Sequence, residues 1–415
     1  MKIFKFGGAS VKDAESVKNI LRVLTHEGFQ NTLIVISAMG KMTNAFEKIV
    51  NSYYDKTKEL QQNIDFVRTY HLKIINELFK DKSHSIYVDV ELIFGQLSGF
   101  LISNKSIDYN FIYDQIVGVG ELLSTKIIST FLNKNKIETN WIDVREYIKT
   151  DSNYRDASVN WELTSINIRN LNTNKLCITQ GFLGSNSKGV TTTLGREGSD
   201  YTAAIFAYCL KAESLTIWKD VEGVLNADPR YFSTTKLLQQ ISYSEAIEMA
   251  FYGASVIHPK TLKPLENKNI PLYVRSFYTI EKKGTRVEKG SRLIPEIPCF
   301  ILKQHQILVS ISALDFSFMV ENNLSELFKI LHIYKLKVNL IQNSALSFSV
   351  CVEDKFNNFQ KFLTELELKY NISYVENVSL YTIRHASKTA VKTIEKKGKV
   401  LLKQVTKGTV QVVVQ

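Results

Sequence analysis

Residues 2–10 read KIFKFGGAS, and this stretch decides the fold. Its first five residues are typical of a short buried strand, and residues 13–29 carry apolar side chains at helical spacing. A strand that runs through two glycines into a helix indicates an open α/β sheet, which binds ligands at this edge. The backbone of Gly7 and Gly8, together with the charge of Lys5, can cradle a phosphate. A plain tight turn explains the two glycines equally well.

The pattern of strand and helix continues through the first two thirds of the chain. Residues 42–135 are mostly helical in character, with few glycines or prolines. Continuous apolar strands that alternate with helices predict an α/β fold, a mainly parallel sheet sandwiched by helices. Further strands are predicted at TLIVI (32–36), WIDV (141–144), KLCITQ (175–180), SLTIWK (214–219) and PLYVRSF (271–277).

The last part of the chain has a different character. The segment 281–300 is charged and contains glycine and proline, so we predict a linker there. Beyond it, KVNLIQNSALSFSVCV (337–352) aligns without gaps on KVLLKQVTKGTVQVVV (399–414), with six identities in sixteen positions. We therefore predict two related α+β units, 301–377 and an abbreviated 378–415. Chance similarity between two β-hairpins is the alternative.

Composition and charge argue against several classes of protein. Hydrophobic content of 44% and charged content of 22% are typical of a globular protein. The sequence has no apolar run of 18 residues and no signal-peptide pattern, so we expect no membrane association. The net charge of +11 comes from dispersed lysines without a nucleic-acid-binding motif. The four cysteines and seven histidines are scattered, which indicates reduced thiols in the cytoplasm and argues against a metal site built from side chains.

The most polar stretch lies between two apolar runs, and residues 191–200 read TTTLGREGSD. Arg196 stands between two glycines, just before a predicted helix with Ser199 as its N-cap. A planar guanidinium in that position suits a carboxylate or a phosphate. Asp200 is either a helix-dipole residue or a carboxylate that orients Lys5 or a substrate ammonium. A solvated loop is the simpler interpretation of this stretch on its own.

Two further polar loops follow predicted strands. WKDVEGVLNADPR (218–230) places Asp220, Asp228 and Arg230 around a turn, and GASVIHPKTL (253–262) opens another helix. Because ligands bind at the carboxyl edge of such a sheet, we expect all of these loops to converge on one site.

These motifs, taken in chain order, resemble those of a known family. KFGGASV, GELLS (120–124), GFLG with TTTLGREGSDYTA (181–203), WKDVEGVLNADPR and GASVIHP resemble the aspartate kinases of the amino acid kinase family. The resemblance covers residues 1–280, and the tail resembles the paired ACT regulatory domains of these enzymes. It implies an amino acid kinase fold and ATP-dependent phosphorylation of the side-chain carboxylate of L-aspartate to 4-phospho-L-aspartate, the first step towards lysine, threonine and methionine. It also implies ATP with Mg²⁺ held mainly by phosphates and water.

The resemblance implies roles for individual residues. Lys5 would bind the transferring phosphates, and Asp200 would orient Lys5. Arg196 would hold the α-carboxylate of aspartate, and Glu121 its α-ammonium; a solvated position near a helix start is the alternative for Glu121. The other implied positions are Ser37 and Thr43 for the substrate carboxylate, and Phe6, Gly7, Gly8, Lys219, Asp220, Leu225, Arg230 and Ser255 for the nucleotide.

Four positions depart from the pattern of the family. Glu197 stands where the family has glycine, and Leu225 stands where it has the tyrosine that packs near the adenine. Lys219 replaces a threonine and Ser255 replaces a lysine. We hypothesise that Lys219, in the loop 218–230, supplies the positive charge near the nucleotide that the family usually supplies from the position of Ser255. A solvated lysine and a small loop residue are the alternative.

Other functions and partners follow from the same residues. Another kinase of the family, acting on glutamate, N-acetylglutamate or a nucleotide, is one alternative, and a catalytically inactive amino-acid sensor is another. The GREGSD motif favours free aspartate, and the presence of Lys5, Arg196 and Asp200 disfavours the sensor. An amino-acid effector is expected at the ACT units, with weak or absent lysine inhibition because MVENNLSELF (319–328) lacks the glycine that often lets the backbone approach an effector there. The Val-rich end, VQVVVQ, predicts a homodimer formed through the tail.

Overall fold

The computed structural model describes residues 1–254, 257–315 and 317–415. The chain forms two compact units, each assembled from separate segments. The first comprises Met1–Val224, Leu237–Ile247 and a segment that ends at Ile294. The second comprises Leu225–Lys236, a segment that begins at Glu248, and Pro295–Gln415.

The first unit is built on a large sheet and a small hairpin. Its strands are β1 (Lys2–Phe6), β2 (Thr32–Ile36), β3 (Thr139–Ile142), β4 (Leu176–Gln180), β5 (Leu183–Ser185), β6 (Thr191–Thr193), β7 (Ser214–Lys219), β8 (Gln240–Ser242), β9 (Leu272–Ser276) and β10 (Thr285–Glu288). The sheet has the order β3-β4-β2-β1-β7-β9-β10-β8, and β5 pairs with β6. Only the β9–β10 pair of this sheet is antiparallel among the described residues. The predicted mainly parallel sheet is confirmed.

Helices follow most of these strands. They are α1 (Ala14–Glu27), α2 (Met42–Tyr54), α3 (Leu60–Leu78), α4 (Ile86–Ser103), α5 (Tyr109–Val117), α6 (Val119–Lys134), α7 (Val144–Tyr147), α8 (Trp161–Arg169), α9 (Gly198–Leu210), α10 (Tyr243–Tyr252) and α11 (Pro259–Lys268), with a 3₁₀ turn at Gly8–Val11. The predicted helical region between residues 42 and 135 is confirmed. Asp13 caps α1 by accepting a hydrogen bond from the N–H of Ser16 at 2.8 Å.

Burial explains why the central strands have near-continuous apolar sequences. All five residues of β2 are buried, as are four of the five in β1. A strand covered on both faces cannot alternate apolar and polar side chains. Among the described residues, only α4 is long and apolar enough to cross a membrane, judged by length and composition. It carries Asp89 and Glu91, and a single such helix is weak evidence of a membrane span.

Part of the predicted linker is instead a strand of the large sheet. β10 lies within the segment 281–300 and pairs with β9 on one side and β8 on the other. Val287 at its centre is fully buried. The sequence did not predict this strand because only two of its four side chains are buried, and the residues around it are charged.

The second unit contains one six-stranded antiparallel sheet. Its elements are β11 (Cys299–Ala313), α12 (Glu321–Ile333), β12 (Lys337–Asn343), β13 (Ser347–Glu353), α13 (Phe359–Leu366), β14 (Tyr370–Arg384), α14 (Lys388–Glu395), β15 (Val400–Thr406) and β16 (Thr409–Val414). The strand order is β12-β13-β11-β14-β16-β15. These β/α units are consistent with ACT domains.

The two related sequences occupy equivalent places in this sheet. Lys337 pairs with Glu353 at the end of one hairpin, and Lys399 exchanges backbone hydrogen bonds with Gln415 at the end of the other. A register shift follows Val338 in the first hairpin and Val400 in the second. Corresponding pairs and corresponding irregularities support the predicted internal repeat.

The two repeats share their longest strands. The first half of β11 pairs with the second half of β14, and the second half of β11 pairs with the first half of β14. The first repeat packs α12 and α13 on the sheet, whereas the second has only α14. Phe232 adds to the apolar cluster under α14, with its ring centroid 5.3 Å from that of Phe300. The predicted boundary at 301 therefore cuts through β11, a strand that serves both repeats.

The Val-rich end of the chain is not an open edge. β16 lies between β14 and β15, and all six of its residues are buried. The sequence reasoning behind the tail interface was therefore wrong on this point, because the strand already has a partner on each side. β12 and β15 are the edge strands of this sheet.

Candidate active site

A cavity of about 610 Å³ opens at the carboxyl ends of β1, β2 and β7 in the first unit. Its position is the one expected for a ligand site of an open α/β sheet. Most of the residues predicted from the sequence line it: Lys5, Gly7, Gly8, Ser37, Thr43, Glu121, Arg196, Asp200, Lys219 and Asp220. The fold thus brings together side chains that lie more than 200 positions apart.

A buried carboxylate between two lysines lies in this cavity. Asp200 Oδ1 is 2.5 Å from Lys5 Nζ, and Asp200 Oδ2 is 3.6 Å from Lys219 Nζ. Burial alone would raise the pKa of Asp200, but the charges of Lys5 and Lys219 outweigh it and hold the pKa below its usual value. The carboxylate is therefore ionised at neutral pH, and it fixes the Lys5 ammonium at the end of β1.

The glycine turn after β1 approaches the next loop very closely. A β-carbon at Gly8 would lie 2.5 Å from the carbonyl oxygen of Gly40, so no side chain fits there. The N–H of Gly40 donates to the carbonyl of Gly8 at 2.9 Å, which ties the two loops together. The turn therefore presents backbone beside Lys5, as a phosphate-binding turn requires.

Glu121 lies on the first turn of α6 and is 2% exposed. Its carboxylate accepts a hydrogen bond from the N–H of Ala38, and Oε2 has no hydrogen-bond partner among the described residues. Burial raises the pKa of Glu121 to about 8. A solvated position for Glu121 is therefore excluded, and this residue lines the cavity with one carboxyl oxygen that lacks a partner among the described residues.

The loop that carries Arg196 has a strained and crowded backbone. Gly195 has φ of 78°, and a β-carbon there would lie 2.5 Å from the Oδ1 atom of Asp156. Glu197 also lies in the left-handed region, at φ of 54°, and lines the cavity. These constraints hold the exposed Arg196 at the rim. The predicted N-cap was wrong: α9 begins at Gly198, Glu197 occupies the cap position, and Ser199 lies within the first turn.

The remaining predicted residues differ in position. Ser37 directly follows β2 and Thr43 lies in the first turn of α2; both are half-buried and line the cavity. The ring of Phe6 packs in the core, stacked on Trp218 with centroids 6.3 Å apart, so only its backbone faces the turn. Leu225 and Arg230 belong to the second unit, where Arg230 pairs with Asp228 at 2.6 Å. Ser255 lies outside the described residues, so the proposed exchange of lysines stays a prediction.

Sequence reasoning missed part of the cavity wall. Tyr113, Arg155, Phe182 and Trp218 also line it. Trp218 lay within a quoted motif but was not singled out. Arg155 lies in the polar stretch DSNYRD (151–156), which matched no motif, so its only signal was an arginine in a loop that follows a strand and a short helix.

Comparison with known proteins defines the class of the chain. Residues 1–276 match the model of the amino acid kinase family. This range contains the large sheet up to β9 and every residue that lines the cavity. The chain belongs to the amino acid kinase family.

Individual relatives are more specific. The chain is 31% identical over 345 residues to lysine-sensitive aspartokinase 3 of Escherichia coli, which covers 82% of this chain and 75% of the relative. Solved structures of aspartokinase III from E. coli, one with lysine and aspartate and one with aspartate and ADP, superpose with TM-scores of 0.82 and 0.81 at 26% identity. Each covers 100% of this chain and 96% of the solved one. Within its family the chain is thus placed among the aspartokinases. It spans about a third of the length of its bifunctional aspartokinase/homoserine dehydrogenase relatives.

Proposed function

We propose that this chain is an aspartate kinase, which transfers the γ-phosphoryl group of ATP to the side-chain carboxylate of L-aspartate. The observation that carries the proposal is one cavity with cationic and carboxylate groups suited to both substrates. Lys5 and Lys219 suit phosphates, whereas Arg196 and Glu121 suit the α-carboxylate and the α-ammonium of an amino acid.

The reaction requires positive charge and correct positioning of the substrates more than it requires proton transfer. The attacking carboxylate of aspartate is ionised at neutral pH, so no general base is required. The difficulty is that an anion must approach a polyanion, and charge builds up on the transferring group. Lys5, held by Asp200, stabilises that charge, while Ser37 and Thr43 position the attacking carboxylate.

The donor set fits MgATP with the metal bound mainly by phosphates and water. Asp200 and Asp220 line the cavity, and no group of three metal-binding side chains occurs in the described part of the chain. When bound, Mg²⁺ would neutralise further phosphate charge. Lys5, Lys219 and the backbone at Gly7 and Gly8 would hold the phosphates.

An assay of product formation tests the proposed function. The purified chain with MgATP is expected to form ADP with L-aspartate and to show little turnover with glutamate or homoserine. Hydroxylamine added to the assay should trap the acyl phosphate as a hydroxamate. Binding of aspartate without ADP formation would instead support the amino-acid sensor.

The apparent KM for aspartate is expected to fall as pH rises towards 8. Glu121 must be ionised to bind an ammonium, and its pKa of about 8 leaves it mostly protonated at pH 7. Between pH 6.5 and 8.5 the ionised fraction rises roughly twentyfold, and KM for aspartate should fall by about the same factor. Initial rates at several pH values measure this effect, with the KM for ATP as the internal reference.

A matched substitution isolates Glu121 as the cause. Glu121→Gln cannot ionise, so its KM for aspartate should be high and nearly independent of pH. An unchanged pH profile in this variant would assign the titration to another group. The stability effect has the same origin: because the folded pKa exceeds the ordinary value of 4.5, the contribution of Glu121 is complete below pH 4.5 and is lost as pH rises to about 8.

The second unit supports a regulatory and an assembly role. We propose an amino-acid effector site there; one relative is named as lysine-sensitive, and a solved structure of aspartokinase III is described as a complex with lysine and aspartate. The sequence from Ser317 to Phe328 around the start of α12 contains no glycine, which supports weak binding of lysine. A cytoplasmic location agrees with four cysteines that are all buried.

We also propose a homodimer formed through the tail, with β15 as the pairing edge. Val405 on this edge strand is 65% exposed. Light scattering on the full chain should report a dimer, and Val405→Lys should shift it towards monomer because a charge then sits on the open edge. Lys403→Arg on the same strand keeps the charge unchanged and is the control; a dimer that tolerates Val405→Lys would argue against this interface.

A further inference from the structure

A buried carboxylate ties an unassigned loop to the cavity wall. Asp114 on α5 is fully buried and accepts hydrogen bonds from the N–H of Thr193 at 2.9 Å and its hydroxyl at 2.7 Å. Both of its oxygens also accept from the N–H of Arg155, at 3.2 Å each. The backbone at residue 155 is thus fixed to β6, just before the loop that carries Arg196.

The backbone conformation of Arg155 is uncommon for its residue type. Its φ of 70° lies in the left-handed region, which favours glycine and is strained for a long side chain. Strain of this kind persists where the surrounding structure holds it in place, and such positions cluster at functional sites. The hydrogen bonds that the N–H of Arg155 donates to Asp114 supply that constraint here.

Two tyrosines hold the side chain of Arg155. Its guanidinium carbon lies 4.4 Å from the ring centre of Tyr113 and 5.5 Å from that of Tyr109. A guanidinium on an aromatic face keeps its N–H groups available at the edge of its plane. Arg155 and Tyr113 both line the cavity, and among the described residues the guanidinium forms no ion pair with a carboxylate.

The balance of charge at this end of the cavity suits an acidic amino acid. Arg196 and Arg155 supply two guanidiniums, and Glu121 and Glu197 supply carboxyl groups. An acidic amino acid brings an α-carboxylate that two guanidiniums can share and an α-ammonium for Glu121, while Ser37 and Thr43 position its reacting carboxylate. Both arginines are exposed, but Arg196 lies on a loop between glycines, whereas Arg155 is held by rings and by its backbone. The guanidinium of Arg155 is therefore the better oriented of the two.

We propose that Arg155 is a specificity-determining residue that binds the α-carboxylate of aspartate together with Arg196. This inference rests on the proposed function and adds to it a contact from a loop that no motif marked. Arg155 selects for substrates with an anionic α-carboxylate, because an amide at that place leaves its charge without a partner.

Arg155→Gly tests the proposal without straining the backbone, since glycine prefers the conformation found there. The KM for aspartate is expected to rise about tenfold or more, as for loss of one charge-assisted contact, while the KM for ATP changes less than about twofold. Arg155→Lys keeps the charge but not the planar guanidinium, so its KM for aspartate should lie between those of the wild type and of Arg155→Gly. Arg169→Ala removes an exposed guanidinium that does not line the cavity and should leave both KM values unchanged.

A substrate analogue shows whether the contact is direct. L-aspartate α-amide keeps the reacting carboxylate but lacks the α-carboxylate. The wild-type enzyme should strongly prefer aspartate, and Arg155→Gly should reduce that preference by about tenfold, since the amide never used the contact, while Arg196 retains the rest. Equal losses with both substrates, or an equal rise in the KM for ATP, would overturn the proposal. No turnover of aspartate by the wild type would overturn the proposed function and this inference with it, whereas a normal aspartate KM in an active Arg155→Gly variant would overturn this inference alone.

Discussion

Lys5→Met is expected to lower kcat by about 10³-fold, the largest effect of any single substitution in the cavity. The ammonium of Lys5 is 2.5 Å from Asp200, and its side chain is only 9% exposed. A charge in such a dry site acts on the transferring phosphoryl group far more strongly than a solvated one. Methionine keeps the length of the side chain and removes the charge, so the loss reports electrostatics more than packing.

Two controls accompany this substitution. Lys2→Met changes a lysine at the other end of the same strand and should leave kcat unchanged. Lys5→Met leaves the buried Asp200 with Lys219, at 3.6 Å, as its remaining lysine partner, which can lower the stability of the protein. Thermal unfolding therefore has to show that the variant is folded. A folded Lys5→Met variant that keeps more than a tenth of the wild-type kcat would refute the assigned role.

Arg196→Ala should have the second largest effect, and it should fall on one substrate. Loss of a charge-assisted bidentate contact costs about 2–4 kcal/mol in kcat/KM for aspartate, which corresponds to roughly 30- to 1000-fold. The KM for ATP should change little, because Arg196 lies on the loop before α9 while the phosphates are assigned to Lys5 and the turn after β1.

Steady-state kinetics with each substrate varied in turn measure the separation. Arg169→Ala, an exposed arginine at the end of α8, is the matched control and should behave as wild type. If Arg196→Ala weakens ATP as much as aspartate, the guanidinium serves the phosphates and the assignment is wrong.

The sequence predicted the fold of the first unit because burial leaves a direct mark on it. Strands covered on both faces must be apolar throughout, and β2 shows this at all five positions. The turn at Gly7 and the loop at Arg196 were found for a related reason, since glycines next to charged residues interrupt such runs. Their convergence on one cavity followed from the parallel arrangement of the strands.

What the sequence did not predict depends on contacts between distant segments. β10 was taken for linker because its burial comes from pairing with β8 and β9, which local composition does not encode. Arg155 was missed because its position depends on Asp114, 41 residues earlier in the chain. β16 was wrongly predicted to be an edge strand for the same reason, since it pairs with β14, which lies much earlier in the chain.

Each of the two units is assembled from separate segments of the chain, and this affects how parts of such enzymes can be exchanged between homologues. The second unit takes in Leu225–Lys236, and Phe232 from this segment packs its ring against Phe300 and Tyr381. Lys397 in turn places its ammonium 5.0 Å from the centre of the Phe232 ring. A tail transplanted from Pro295 onwards would leave Phe232 behind and arrive with an uncovered apolar surface. The second unit of this chain therefore cannot be moved as its C-terminal segment alone, and exchanging it between homologous enzymes would require carrying the mid-chain segment along with the C-terminus.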